Sequence, residues 1–343
     1  MAKINPGRFF EDYSLGETIV HAVPRTVTSG ERALYHALYP ARHALYSSDL
    51  FARACGLPVS PLDDLAAFHV VFGKTVPDIS LNAVANLGYA EGLWRRPVYT
   101  GDTLRSQSEV IGLKQNSNGK TGVVWVRSKG FNQDDEVVIE YVRWAMIRKR
   151  DAGSPAPEPV VPTLKSALSP DDLVLPANLN FDRYDFDLAG ERHVLSDYAV
   201  GEIIDHVDGV TVEEAEHMMA TRLWQNTAKV HFDATAREDG RRLIYGGHVI
   251  SMARALSFNG LANAQIIVGL NAGAHANPCF SGDTIRAWSE VLGVVPAIRP
   301  GIGAIRLRLV ATKGPEPGAL KGDDGKYLPG VLLDLDYWAL MPG

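Results

Sequence analysis

Apolar positions follow two regimes along this chain, and the succession of regimes occurs twice. Late in the first half, SEVIGLKQ (108–115), GKTGVVWVRSKGF (119–131) and EVVIEYVRWAMI (136–147) alternate apolar with polar positions and are rich in Val, Ile and aromatics, which predicts long antiparallel strands. Ahead of them, residues 61–74 form a denser apolar run that predicts a buried helix; residues 247–261 are its counterpart. In the second run Ile250, Met252, Ala253, Leu256 and Phe258 are too closely spaced for a surface helix. Thr28 to Glu31 and Thr211 to Glu214 each have the Thr-x-x-Glu spacing of a capping box, so each predicts the start of a short helix. A short strand, a buried helix and then three or four long strands make an α+β unit, with a sheet that can wrap one central helix.

The unit is repeated in sequence as well as in pattern. DYSLGETIVH from Asp12 recurs as DYAVGEIIDH from Asp197, and RPVYTGDTLRSQSEVIG (96–112) as NPCFSGDTIRAWSEVLG (277–293). VRSKG at Val126 is matched by VATKG at Val310, and VRWAM at Val142 by DYWALM at Asp336. Four blocks in one order at nearly constant offset are a duplication. The chain divides into a first copy over 1–150, a linker over 151–184 and a second copy over 185–343. Five prolines between Asp151 and Asp172 make that linker extended. Residues 315–330, rich in Gly and Pro, read as a long loop.

Composition narrows the function classes. With 46% apolar and 22% charged residues and a net charge of −6, the chain is neither disordered nor a coiled coil, and no basic run offers a nucleic-acid footprint. The first residues lack a signal-peptide core, and no apolar run is long enough to span a membrane. Cys55 and Cys279 stand far apart without CxxC spacing, which suits a reducing compartment. The expectation is a soluble, cytoplasmic protein. The histidines form no HExxH or similar cluster, so no metal site is expected.

The second copy carries the chemistry-bearing residues. WQNTAKVHFD (224–233) and IYGGHVIS (244–251) flank the start of the predicted buried helix, and Pro278 to Asp283 has the pattern PxxxGD. These residues resemble the MaoC-like dehydratase family, with its double hotdog fold, over nearly the whole chain. Among the branches the sequence is most similar to the mesaconyl-CoA hydratase (2-methylmalyl-CoA dehydratase) branch. In the family's motif an Asp precedes a His by five residues; the matching positions here are Asn226 and His231. An amide cannot exchange a proton at neutral pH, so the acid/base pair does not carry over intact.

The resemblance implies a hydro-lyase acting on an α,β-unsaturated acyl-CoA, most similar to one for mesaconyl-CoA. His231 would be the acid/base and Asn226 would hold water. The backbone N–H of Gly247 would be the oxyanion donor, since glycine ahead of a buried helix leaves amides bare at its positive end. Gly246, Tyr245 and His248 would line the substrate site. Arg222 and Arg286 are candidates for a substrate carboxylate, and each also reads as a surface residue. Coenzyme A would enter as part of the substrate, with no separate cofactor, and a homodimer or higher homo-oligomer is expected. Read without the family, a lone histidine such as His231 is more often structural.

Other features favour plainer readings. Asp63-Asp64 reads as acids at a helix N-terminus. Asp102 and Asp283 recur in both copies, as turn residues would. GIGAIR from Gly301 lacks the third glycine and the following helix of a dinucleotide loop. Aligning the copies sets Tyr46 against His231, Ala41 against Asn226 and Pro61-Leu62 against Gly246-Gly247, so the first copy would keep the scaffold without the chemistry. Two alternatives stay open: a hotdog acyl-CoA thioesterase, and an acyl-CoA binding protein without turnover.

Overall fold

The computed structural model describes residues 3–314 and 318–343. The first copy contributes β1 (Thr18–Val20), β2 (Arg25–Thr26), α1 (Ser29–Leu38), α2 (Ala44–Ser47), α3 (Asp49–Ala54) and α4 (Asp64–Thr75). Its long strands follow: β3 (Ala83–Trp94), β4 (Thr103–Gln115), β5 (Thr121–Phe131) and β6 (Val137–Arg148). After the one-turn α5 (Phe186–Ala189), the second copy contributes β7 (Ile203–Thr211), α6 (Glu214–Leu223), α7 (Lys229–Phe232), α8 (Gly246–Leu256) and α9 (Phe258–Leu261). It ends with β8 (Ile266–His275), β9 (Thr284–Arg299), β10 (Ile302–Thr312) and β11 (Val331–Pro342).

All the strands belong to one antiparallel sheet, in the order β1-β4-β5-β6-β3-β8-β11-β10-β9-β7, with β2 on β4. Read outward from its centre, that order is the same in both directions once each strand is exchanged for its repeat. The two halves meet where β3 pairs with β8, from Tyr89 opposite Gly273 to Leu93 opposite Gly269. Every residue of α4 is buried, and all of α8 except Gly246. One apolar cluster, from Val27 to Met341, takes in both helices and the inner faces of both half-sheets. At roughly 1.5–3 kcal/mol for each fully buried large side chain, this shared core dominates the stability of the pair.

Polar cross-links fix the two helices against each other. His69 on α4 lies 2.8 Å from Ser251 Oγ on α8 and 3.2 Å from the Tyr245 hydroxyl. His248 Nδ1 is 3.1 Å from Tyr39 Oη. Gly73 lets the turn after α6 lie on α4, because a Cβ there would overlap the carbonyl of Trp224.

The box at Thr28 forms, with Glu31 accepting from the Thr28 N–H at 2.7 Å. The box at Thr211 does not: α6 is preceded by Glu213, and Thr211 stays in β7, its hydroxyl 2.8 Å from that of Thr284. Strand pairing has taken the capping oxygen. Asp63 is the N-cap of α4, accepting from Leu65 N at 2.9 Å. Asp102 and Asp283 accept from Tyr99 N and Phe280 N, both at 2.8 Å, the same turn built twice. The helix expected over 247–261 is interrupted, since Asn259 and Gly260 are not helical. The linker is extended but not free, for Leu168, Leu173, Leu179 and Phe181 are buried. Of the loop expected over 315–330, residues 315–317 lie outside the described residues.

Candidate active site

Where the turn after α6 meets the start of α8, a cavity of about 350 Å³ opens between the copies. The turn is made by Gln225, whose φ of 56° reverses the chain. Asn226 follows with its backbone N–H donating to Thr221 O at 2.9 Å and its side chain only 2% exposed. The Ala228 N–H can only donate, and it donates to Asn226 Oδ1 at 3.3 Å. The side-chain N–H groups of Asn226 are therefore the ones left for the cavity.

His231 is the third residue of the single-turn α7 and lines the cavity. Its Nδ1 is 2.7 Å from Leu243 O, and a carbonyl can only accept, so Nδ1 carries the proton. In the neutral ring the Nε2 lone pair is free of protein partners among the described residues. The ring edge keeps some exposure to the cavity while the surroundings are apolar. Burial holds its pKa down, to about 4, against the opposing pull of the Leu243 hydrogen bond. His231 is thus an unprotonated base at neutral pH.

Gly246 opens α8, where no side chain caps the helix and the amides of Gly246 and Gly247 have no protein acceptor among the described residues. The preceding amide, that of Tyr245, is already used, donating to His217 Nε2 at 2.9 Å. Gly246 is at the wall because a Cβ there would overlap the ring of His275. His275, at the end of β8, is 3.1 Å from the Tyr89 hydroxyl, and burial lowers its pKa to about 4. Among the described residues no Asp or Glu lines the cavity, whereas Arg143 of the first copy does.

The matching position in the first copy is filled. Tyr46 is the third residue of α2, as His231 is of α7. Its hydroxyl donates to Asp64, which also accepts from Ile267 N at 2.7 Å. Burial and the neighbouring Asp63 raise Asp64 to about 8. The space beside this pair is only about 20 Å³.

A family model described as mesaconyl-CoA hydratase matches residues 2–316. The chain belongs to the mesaconyl-CoA hydratase family. It is 74% identical over 341 residues to the mesaconyl-CoA hydratase of Cereibacter sphaeroides, covering 99% of both chains. It is 57% identical over 348 residues to the beta-methylmalyl-CoA dehydratase of Chloroflexus aurantiacus, again covering 99% of each. A crystal structure described as a MaoC domain protein dehydratase, from Chloroflexus aurantiacus, superposes with a TM-score of 0.96 at 57% identity, covering 100% of this chain and 99% of that one. A double-hotdog protein of Mycobacterium tuberculosis, 24% identical, superposes with a TM-score of 0.77 over 97% of this chain and 98% of its own. The fold is a double hotdog.

Within this mesaconyl-CoA hydratase family member, the structure brings Asn226, His231, Tyr245 and Gly246 to one cavity. Gly247 lies one position behind the wall, its Cα packed toward Tyr245 and His69. His248 is buried and turned toward Tyr39, so it does not line the cavity. Neither expected arginine reaches the site. Arg222 is exposed on α6, because the left-handed Gln225 turns Asn226 off the face Arg222 occupies. Arg286 faces away from the core between inward Ile285 and Ala287, and donates to Val207 O at 3.0 Å. His275 and Arg143 were not anticipated. The repeat held a signal for both: His275 stands where the first copy has Trp94, and Arg143 where the second has Tyr337.

Proposed function

We propose that this protein adds water reversibly to mesaconyl-CoA (2-methylfumaryl-CoA), giving 2-methylmalyl-CoA. The observation that carries the reading is a neutral imidazole, its lone pair held at Nε2, sharing one cavity with a buried amide and an uncapped helix start. A water donates one proton to His231 Nε2 and accepts from Asn226 Nδ2, keeping a lone pair for the β-carbon. As the C–O bond forms, the double-bond electrons move to the thioester oxygen. The enolate sits on the amide of Gly246 at the cavity wall, where one such donor is worth roughly 2.7–4 kcal/mol of barrier. His231 then returns its proton to the α-carbon, and elimination is the reverse. His275, bonded to Tyr89, is a second titratable group beside Gly246. The thioester itself acidifies the α-carbon, so the chemistry asks for no redox group.

The absence of Asp and Glu from the lining among the described residues argues against the thioesterase reading, which needs a carboxylate to activate water. The filled space at Tyr46 and Asp64 supports one active site per chain, in the second copy. Among the described residues no helix is long and apolar enough to cross a membrane. We further propose that the protein is cytoplasmic and assembles as a homodimer or higher homo-oligomer. The test is to incubate purified protein with mesaconyl-CoA while recording enoyl absorbance and free thiol. Loss of absorbance without thiol is expected; thiol release at the same rate would establish a hydrolase.

A further inference from the structure

We infer that Arg143, from the first copy, anchors the free carboxylate of the acyl group, so that one repeat supplies the specificity of a site whose chemistry lies in the other. This rests on the function proposed above and names the part of the substrate that the catalytic residues do not address.

Arg143 is 0% exposed and lines the same cavity as His231. Its acceptors are all neutral: Thr75 Oγ1 at 2.7 Å, and Asn86 Oδ1 and Ser80 Oγ at 3.4 Å. Among the described residues its Nε has no partner, and no carboxylate pairs with it. The other buried arginine, Arg254, differs in that the carboxylates of Asp63 and Asp64 feel its charge. A guanidinium stays charged when buried, and a buried charge without a counter-ion is strongly unfavourable. The sheet does not require it, for the equivalent position in β11 is Tyr337.

The surroundings make a cradle for an anion. A π-type turn, Val76–Ser80, follows α4, and together they present Thr75 and Ser80 to the guanidinium. The guanidinium carbon lies 4.4 Å from the Phe72 ring centroid, Phe72 lies 5.7 Å from Tyr245, and Tyr245 lies 5.9 Å from His231. One aromatic wall thus joins the cation to the base. In mesaconyl-CoA the free carboxylate is attached to the carbon that water attacks, so its negative charge opposes an incoming hydroxide-like oxygen. A paired arginine removes that opposition and holds the carbon in register with His231.

The test uses two saturated thioesters that cannot react, 2-methylsuccinyl-CoA (thioester beside the methyl-bearing carbon) and 2-methylbutyryl-CoA, which differ by carboxylate against methyl. Their dissociation constants are measured by titration calorimetry on the wild type, Arg143→Met and Arg143→Lys. The wild type is expected to prefer the carboxylated ligand by at least about 30-fold, the scale of a buried charge pair. Arg143→Met should abolish the preference by weakening that ligand alone, and Arg143→Lys should keep part of it. Should the methionine variant fail to fold, a lysine variant with undiminished preference overturns the proposal. Equal weakening of both ligands, or no preference in the wild type, also overturns it. Because neither ligand turns over, these results are independent of whether mesaconyl-CoA is hydrated, which the absorbance assay decides separately.

Discussion

Asn226 Oδ1 is occupied by its own turn, so the part of the side chain that meets the cavity carries hydrogens. A carboxylate at that position would keep the turn, because Asp also accepts from Ala228 N, but it would present charge where the amide presents a donor. Facing a substrate carboxylate at 4 Å in a medium of effective dielectric near 20, that charge costs about 4 kcal/mol. Asn226→Asp is therefore expected to fold normally and to lose much more kcat/KM on mesaconyl-CoA than on crotonyl-CoA, which lacks the second carboxylate. The two substrates are assayed side by side on one preparation. A uniform fall on both would mean that position 226 serves water geometry alone.

At the scale of elements, the duplication made most of the fold legible. The repeat alignment that sets Tyr46 against His231 places both on the third residue of a four-residue helix, a detail no propensity would supply. The alternating runs became β4, β5 and β6, and the dense run became the wholly buried α4. What failed did so through tertiary competition. Thr211 has a capping sequence, but pairing with β9 claims its hydroxyl. Arg222 precedes Asn226 by one turn in sequence, yet the helix ends between them. Arg143 was legible in principle: in β6 it shares a face with Ile139 and Tyr141, and period-two counting points it inward. An inward arginine on an apolar strand face is a signal that only the register makes visible. The cavity between the copies was not legible, because it depends on how β3 meets β8 and how closely the turn at Trp224 lies on Gly73.

The molecule as a whole has a mirrored sheet with an asymmetric interior, and that interior is unusually rich in buried histidine. Burial lowers His206, His231, His248 and His275 to about 4, His69 to about 3 and His217 to about 2. The unfolded chain takes up protons near 6.5 while the folded chain does not, so the stability these groups contribute is present above that pH and lost as pH falls toward 4. Asp64, raised to about 8, and its neighbour Asp63, also raised by burial, work the other way, their contribution fading as pH rises from about 4, but the histidines outnumber them, since burial lowers His36 and His43 as well. Urea unfolding measured between pH 7 and 5 should lose free energy more steeply than the roughly 1.4 kcal/mol per pH unit that a single group permits. A flat profile would mean the histidines are hydrated in the folded state. In the proposed mechanism the same asymmetry separates one copy that reacts from one that holds. The most direct measurement is the initial rate of mesaconyl-CoA hydration by wild type, His231→Gln and His43→Ala, with folding checked by circular dichroism; His43 is the buried histidine that precedes α2 in the first copy, three residues before Tyr46. At least about a 100-fold loss is expected for His231→Gln, the scale of general acid–base catalysis, with little change for His43→Ala. Turnover near the wild-type rate in folded His231→Gln, or equal losses in both variants, would contradict the account.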